Sequence, residues 1–74
     1  MTIYTAGIDI GSLSAKAVIL RDGEMVAWSV QPGGPDSAES ARSIYDAVLS
    51  ESGLAANVIS HIIATGYGRI NVPF

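Results

Sequence analysis

From Ile3 to Ile10 apolar residues stand in both alternating sets, with Tyr4, Ala6, Ile8 and Ile10 on one side and Ile3, Thr5, Gly7 and Asp9 on the other. A strand largely apolar on both sides suits the middle of a sheet. Gly11-Ser12-Leu13-Ser14 has turn composition, and Ala15 to Arg21 forms a second strand rich in Val, Ile and Leu. Asp22-Gly23 is a two-residue hairpin signal of the type I′ kind. Glu24 to Gln31 then alternates, Val26, Trp28 and Val30 against Met25, Ala27, Ser29 and Gln31, which reads as a half-buried edge strand. In this reading Trp28 belongs to the core and faces the helix that follows. Two tight turns make the three strands an antiparallel meander.

Pro32-Gly33-Gly34-Pro35 breaks the sheet. Asp36, with Glu39 three residues on, resembles a capping box. Ala38, Ala41, Ile44, Tyr45, Val48 and Leu49 share one face at helical spacing, so the helix is placed from about Ser37 to Ser52, with Gly53 as its left-handed terminator. A last short strand lies within Val58 to Thr65, around His61-Ile62-Ile63-Ala64, and Gly66-Tyr67-Gly68-Arg69 is a loop. A strand reached through a helix runs parallel to one of the first three, by a right-handed crossover. The predicted order is β-β-β-α-β. An apolar tail with Ile70, Val72 and Phe74, and one helix for a two-sided sheet, suggest a truncated half-lobe. Such a chain, with an unpaired sheet edge, is expected to be marginally stable and prone to associate.

Composition removes several classes of function. The chain has 74 residues, enough for one small domain. Hydrophobic residues make up 49% and charged residues 15%, too apolar for a disordered tail. Net charge is −3 and the four basic residues, Lys16, Arg21, Arg42 and Arg69, are scattered, so neither a nucleic-acid backbone nor an anionic membrane finds a basic stripe. No apolar run is long enough to span a bilayer, and the N-terminus lacks the basic region of a signal peptide. There is no cysteine, hence no disulfide and no thiolate metal site. These features fit a cytoplasmic protein.

The chemistry is concentrated in Asp9-Ile10-Gly11-Ser12-Leu13-Ser14-Ala15-Lys16. Gly11 lets a backbone approach a ligand closely, Ser12 and Ser14 add hydroxyls, and successive turn N–H groups form an anion-binding concavity. A carboxylate beside bound phosphates repels them unless a cation lies between. Asp9 next to a phosphate turn therefore implies Mg²⁺, held through water. Lys16 adds a point charge for a phosphate. The same residue types also occur in ordinary hairpins. The order of strand, turn, strand, strand and helix around them is what favours phosphate.

IDIGSLSAKAVIL resembles the first phosphate motif of the acetate kinase, Hsp70, actin and sugar kinase superfamily. TAGIDIGSLSAKAVIL together with IIATGYGR is similar to the ATPase activators of 2-hydroxyacyl-CoA dehydratases and the related ATPase subunits of benzoyl-CoA reductase. The resemblance runs from about Ile3 to Arg69. It implies a ribonuclease H-like, actin-like ATPase lobe, of which residues 1–74 would be the N-terminal part of the first. It further implies a homodimer that binds ATP or ADP with Mg²⁺ and shares one 4Fe-4S cluster. ATP hydrolysis would drive a low-potential electron to a dehydratase or reductase component. Asp9 would be the catalytic carboxylate that organises Mg²⁺ and water. Gly11, Ser12, Leu13 and Ser14 would line the β/γ-phosphate turn, with Lys16 as the basic position. Gly66, Tyr67, Gly68 and Arg69 match the GYGR loop, a possible ligand contact whose role the resemblance leaves open. The cluster cysteines and the second lobe have no counterpart here, so the 74-residue chain is expected not to hydrolyse ATP alone.

Other features carry less. Gly66-x-Gly68 lacks the third glycine of a dinucleotide fingerprint, since Asn71 stands there, and no G-x-x-x-x-G-K-S/T is present. His61 is isolated and reads as a partly exposed structural residue. Two rivals to the activator reading stay open: a sugar or acyl kinase of the same superfamily, and a non-catalytic interaction module.

Overall fold

The computed structural model describes residues 2–66. Strand β1, Tyr4–Ile10, is followed by β2, Ser14–Arg21, and β3, Glu24–Pro32. Helix α1 spans Ser37–Ser52, a single 3₁₀ turn covers Ala56–Val58, and β4 is Ile59–Thr65. The sheet order is β3-β2-β1-β4, with β1–β2 and β2–β3 antiparallel and β1–β4 parallel. The β-β-β-α-β order expected from the sequence is thus present, and β1 is the strand that β4 joins. Tyr67 to Phe74, including Ile70, Val72 and Phe74, lie outside the described residues.

The local chemistry explains each boundary. Asp22 and Gly23 both have positive φ, 51° and 86°, as a type I′ turn requires. The Asp22 carboxylate also accepts from the Ile3 N–H at 2.8 Å, which ties the hairpin to the start of the chain. Asp36 caps α1, its Oδ1 accepting from the N–H groups of Ala38 (3.0 Å) and Glu39 (3.2 Å). Gly53 ends the helix at φ 74°, its N–H donating to the Leu49 carbonyl at 2.9 Å.

The core lies between α1 and one face of the sheet. Ala6, Ile8 and Ile10 of β1, Ala15, Ala17 and Ile19 of β2, and Ala27 of β3 meet Ala41, Ile44, Tyr45 and Val48 of α1. The alanines let the helix approach closely, and the isoleucines fill the space that remains. Each large side chain buried this way contributes roughly 1.5–3 kcal/mol.

One expectation is corrected. Trp28 does not face the helix: it is 60% exposed, on the opposite face. Register decides this. Ile19 pairs with Ala27 and Val18 with Trp28, so once Ile19 points at α1, Ala27 must follow it and Trp28 must turn away. The more apolar alternating set of β3, which includes Trp28 and Val30, is the one turned away from α1, so the pattern within β3 alone points to the wrong face. The uncovered face carries Val18, Met25, Trp28, Val30 and Ile63 and forms an open concavity of about 470 Å³.

Candidate phosphate and metal site

The C-terminal end of β1 delivers Asp9 to the uncovered face, one residue before the strand stops. Lys16 is its direct partner across the antiparallel ladder, and Thr65 its partner across the parallel one. One row of side chains therefore reads Thr65, Asp9, Lys16, Val30 across four strands. Asp9 and Lys16 are both exposed. The Thr65 hydroxyl donates to Asp9 Oδ1 at 3.0 Å.

The turn that follows is short and closed. The Gly11 N–H donates to the Ser14 carbonyl at 2.9 Å, which commits that amide to the turn. Ser12 and Leu13 are left at the exposed tip, Leu13 with 85% of its surface in water. A loop that the sequence marks only as a break supports the turn from the side. The Gly33 N–H donates to the Leu13 carbonyl at 2.9 Å. A Cβ at Gly33 would lie 3.1 Å from the Ser14 nitrogen and 3.2 Å from the Leu13 carbonyl carbon. This contact needs the bare backbone that glycine provides.

Gly66 closes the other side. It has φ 87°, and a Cβ there would come within 2.6 Å of Asp9 Oδ1 and 2.9 Å of the Ile10 carbonyl carbon. Of the GYGR loop, Gly66 alone is described; Tyr67, Gly68 and Arg69 lie outside the described residues. The structure thus brings together Asp9, Gly11, Ser12, Leu13, Ser14, Lys16 and Gly66. It adds Thr65 and Gly33, which sequence reasoning missed. Thr65 precedes the GYGR motif and carries a side-chain oxygen at a strand end, a signal that could have singled it out. Gly33 sits in a Pro-Gly-Gly-Pro run whose turn-breaking role hid its contact. His61 is exposed on β4, opposite Thr5.

The donor set suits one cation chemistry better than others. Among the described residues no three His, Cys, Asp or Glu side chains gather around a point. Mg²⁺ needs no such cage: it keeps several waters and takes one or two carboxylates plus phosphate oxygens. A lone exposed Asp9 beside a turn and a lysine fits Mg²⁺ bound together with phosphate. A 4Fe-4S cluster does not fit these 74 residues, which include no cysteine.

No protein-family model matches the chain. It is 49% identical over 70 residues to the activator of lactoyl-CoA dehydratase of Anaerotignum propionicum, a match covering 93% of this chain and 27% of that protein. It is 44% identical over 70 residues to the (R)-2-hydroxyglutaryl-CoA dehydratase activating ATPase of Acidaminococcus fermentans, covering 93% and 26%. With one component of the benzoyl-CoA reductase of Thauera aromatica it shares 36% identity over 74 residues, covering 93% and 26%. Among solved structures, the activator of the 2-hydroxyisocaproyl-CoA dehydratase from Clostridium difficile with bound ADPNP superposes with a TM-score of 0.84 at 36% identity, over 93% of this chain and 26% of that one. The chain spans about a quarter of the length of these relatives. No helix among the described residues is long and apolar enough to cross a membrane. By sequence and by fold, the chain is a homologue of the ATPase activators of 2-hydroxyacyl-CoA dehydratases and shares, over the part it spans, their actin-like fold.

Proposed function

We propose that this chain is the phosphate- and Mg²⁺-binding part of the first lobe of an ATPase that activates an acyl-CoA dehydratase or benzoyl-CoA reductase. The observation that carries the reading is the row Thr65, Asp9, Lys16 beside the Gly11–Ser14 turn. It gives a phosphate chain one cation, one turn of backbone and one carboxylate for a hydrated metal at a single strand end. The solved relative with bound ADPNP supports nucleotide as the ligand.

In this reading Lys16 and the amides at the turn tip hold the β- and γ-phosphates, and Asp9 binds the waters of the Mg²⁺ ion. The metal, when bound, supplies charge for the leaving phosphate. Asp9 orients water near that phosphate. ATP turnover would drive one low-potential electron to the dehydratase or reductase partner, in a homodimer sharing a 4Fe-4S cluster. That cluster would be ligated by residues other than these 74, which include no cysteine. A kinase of the same superfamily would use the same phosphate turn. The relatives named as dehydratase activators favour the activator reading over it.

Calorimetric titration of the chain with ADP, with and without Mg²⁺, tests the reading. We expect Mg²⁺ to tighten ADP binding. Asp9→Asn should remove that gain, a loss of roughly 10-fold for a carboxylate in contact with the metal's waters, while metal-free binding should not weaken, since the carboxylate that repels the phosphates is gone. Backbone amide shifts at Gly11 to Ser14 that ignore Mg-ADP would instead support the non-catalytic module.

A further inference from the structure

The end of β4 touches the proposed metal site through two adjacent residues, and both contacts fall on the same carboxylate oxygen. The Thr65 hydroxyl donates to Asp9 Oδ1 at 3.0 Å. The vacant Cβ position of Gly66 lies 2.6 Å from that same Oδ1. Asp9 itself is exposed, so no packing of its own holds its side chain in one rotamer. A free carboxylate on an open sheet face samples several χ1 wells, and fixing one costs entropy.

We propose that Thr65 and Gly66 are positioning residues for Asp9, Thr65 by anchoring Oδ1 and Gly66 by leaving the room in which that oxygen sits. The assignment rests on the proposed Mg-nucleotide site and gives the start of the ATGYGR segment a role there. With Oδ1 held by the hydroxyl, Oδ2 and the second lone pair of Oδ1 stay available to metal-bound water. Groups that orient a metal-binding carboxylate in this way act through the ligand and do not touch the ion. Position 66 admits no side chain. It combines φ 87° with contact to the Ile10 backbone as well as to Asp9. The parallel pairing of Asp9 with Thr65 is what makes the hydroxyl reach. A one-residue slip of β4 would send the residue at this position to the opposite face.

The test uses the ligand-free chain first and Mg-ADP second. Three-bond side-chain couplings report the χ1 populations of Asp9 by NMR. In the parent chain and in Thr65→Ser, which keeps the hydroxyl, one rotamer of Asp9 should dominate. In Thr65→Val, of nearly the same shape, the couplings should average. Titration with ADP should then show the Mg²⁺-dependent gain lowered roughly 10-fold in Thr65→Val and restored in Thr65→Ser. Asp9 couplings that stay those of one rotamer in Thr65→Val would overturn the assignment. So would equal Mg²⁺-dependent gains in Thr65→Val and the parent. If the couplings average but the parent chain binds no nucleotide, the positioning of Asp9 stands and the nucleotide reading of the site falls.

Discussion

Tyr45 shows how a single buried side chain sets a pH limit. It lies in the core beneath the sheet, and burial pushes its phenol above the usual value of 10.0. In the unfolded chain Tyr45 loses its proton at the ordinary value; in the folded chain it holds the proton to higher pH. The unfolded state therefore binds fewer protons in that window, and folding stability falls as pH rises through it. Stability from this residue is complete below about pH 10 and is lost above it. Tyr45→Phe should flatten the alkaline fall, seen as urea midpoints that drop less between about pH 9 and about pH 11 than those of the parent chain. An unchanged fall would assign it to other groups. Asp9 and Lys16 lie on the other side of the sheet from Tyr45, exposed and paired with each other by the register of β1 and β2.

At the scale of elements, α1 is the part that depends most on its ends. Asp36 satisfies two amides at the N-terminus, and Gly53 takes the left-handed conformation at the C-terminus with open space where a Cβ would stand. Asp36→Ala should cost about 1 kcal/mol. Gly53→Ala should cost about 1 kcal/mol from conformational strain, with no clash to add to it. The two sites are separated by the whole helix, so the double variant should show the sum in denaturant unfolding. A double variant no less stable than either single one would mean that α1 frays before the sheet unfolds. These same residues made the helix legible: an acceptor at Asp36, a 3.6-residue apolar period and Gly53 delimit Ser37–Ser52 in sequence as in structure. The Asp22-Gly23 turn was legible for the same reason, since its conformation is demanded locally. What could not be read depends on pairing between distant segments. Trp28 takes its face from the register of β2 and β3, Thr65 meets Asp9 across 56 residues, and Gly33 reaches Leu13 only once the meander has closed. Asp9, Gly11 and Lys16 could be singled out as a candidate site because they are neighbours in the chain. The groups that hold them in place are not.

At the largest scale, the described residues pack against one face of the sheet. Helix α1 covers one face of the sheet and leaves Trp28 60%, Met25 60%, Val30 52% and Ile63 66% exposed on the other. β3, with Met25, Val26, Trp28 and Val30 all exposed, also stands at the edge of the sheet, where its outer backbone groups can pair with another strand. A contiguous apolar face of this kind gains stability whenever another surface removes it from water, at about 25 cal/mol per Å². Trp28 is the only tryptophan, so its fluorescence reports on that face alone. In dilute solution of the 74-residue chain, emission should be that of a water-exposed indole and acrylamide should quench it freely. As concentration rises, emission should move to the blue and quenching should weaken in step with an increase in sedimenting mass. Trp28→Lys places a charge on the open face without touching Ala27 or the core, so it should suppress the mass increase and preserve the far-ultraviolet circular dichroism of the fold. A dilute monomer whose Trp28 is already shielded from acrylamide would place the indole against the helix and reverse the register argument. A Trp28→Lys chain that associates as strongly as the parent would move the contact from the sheet face to the edge of β3 or β4.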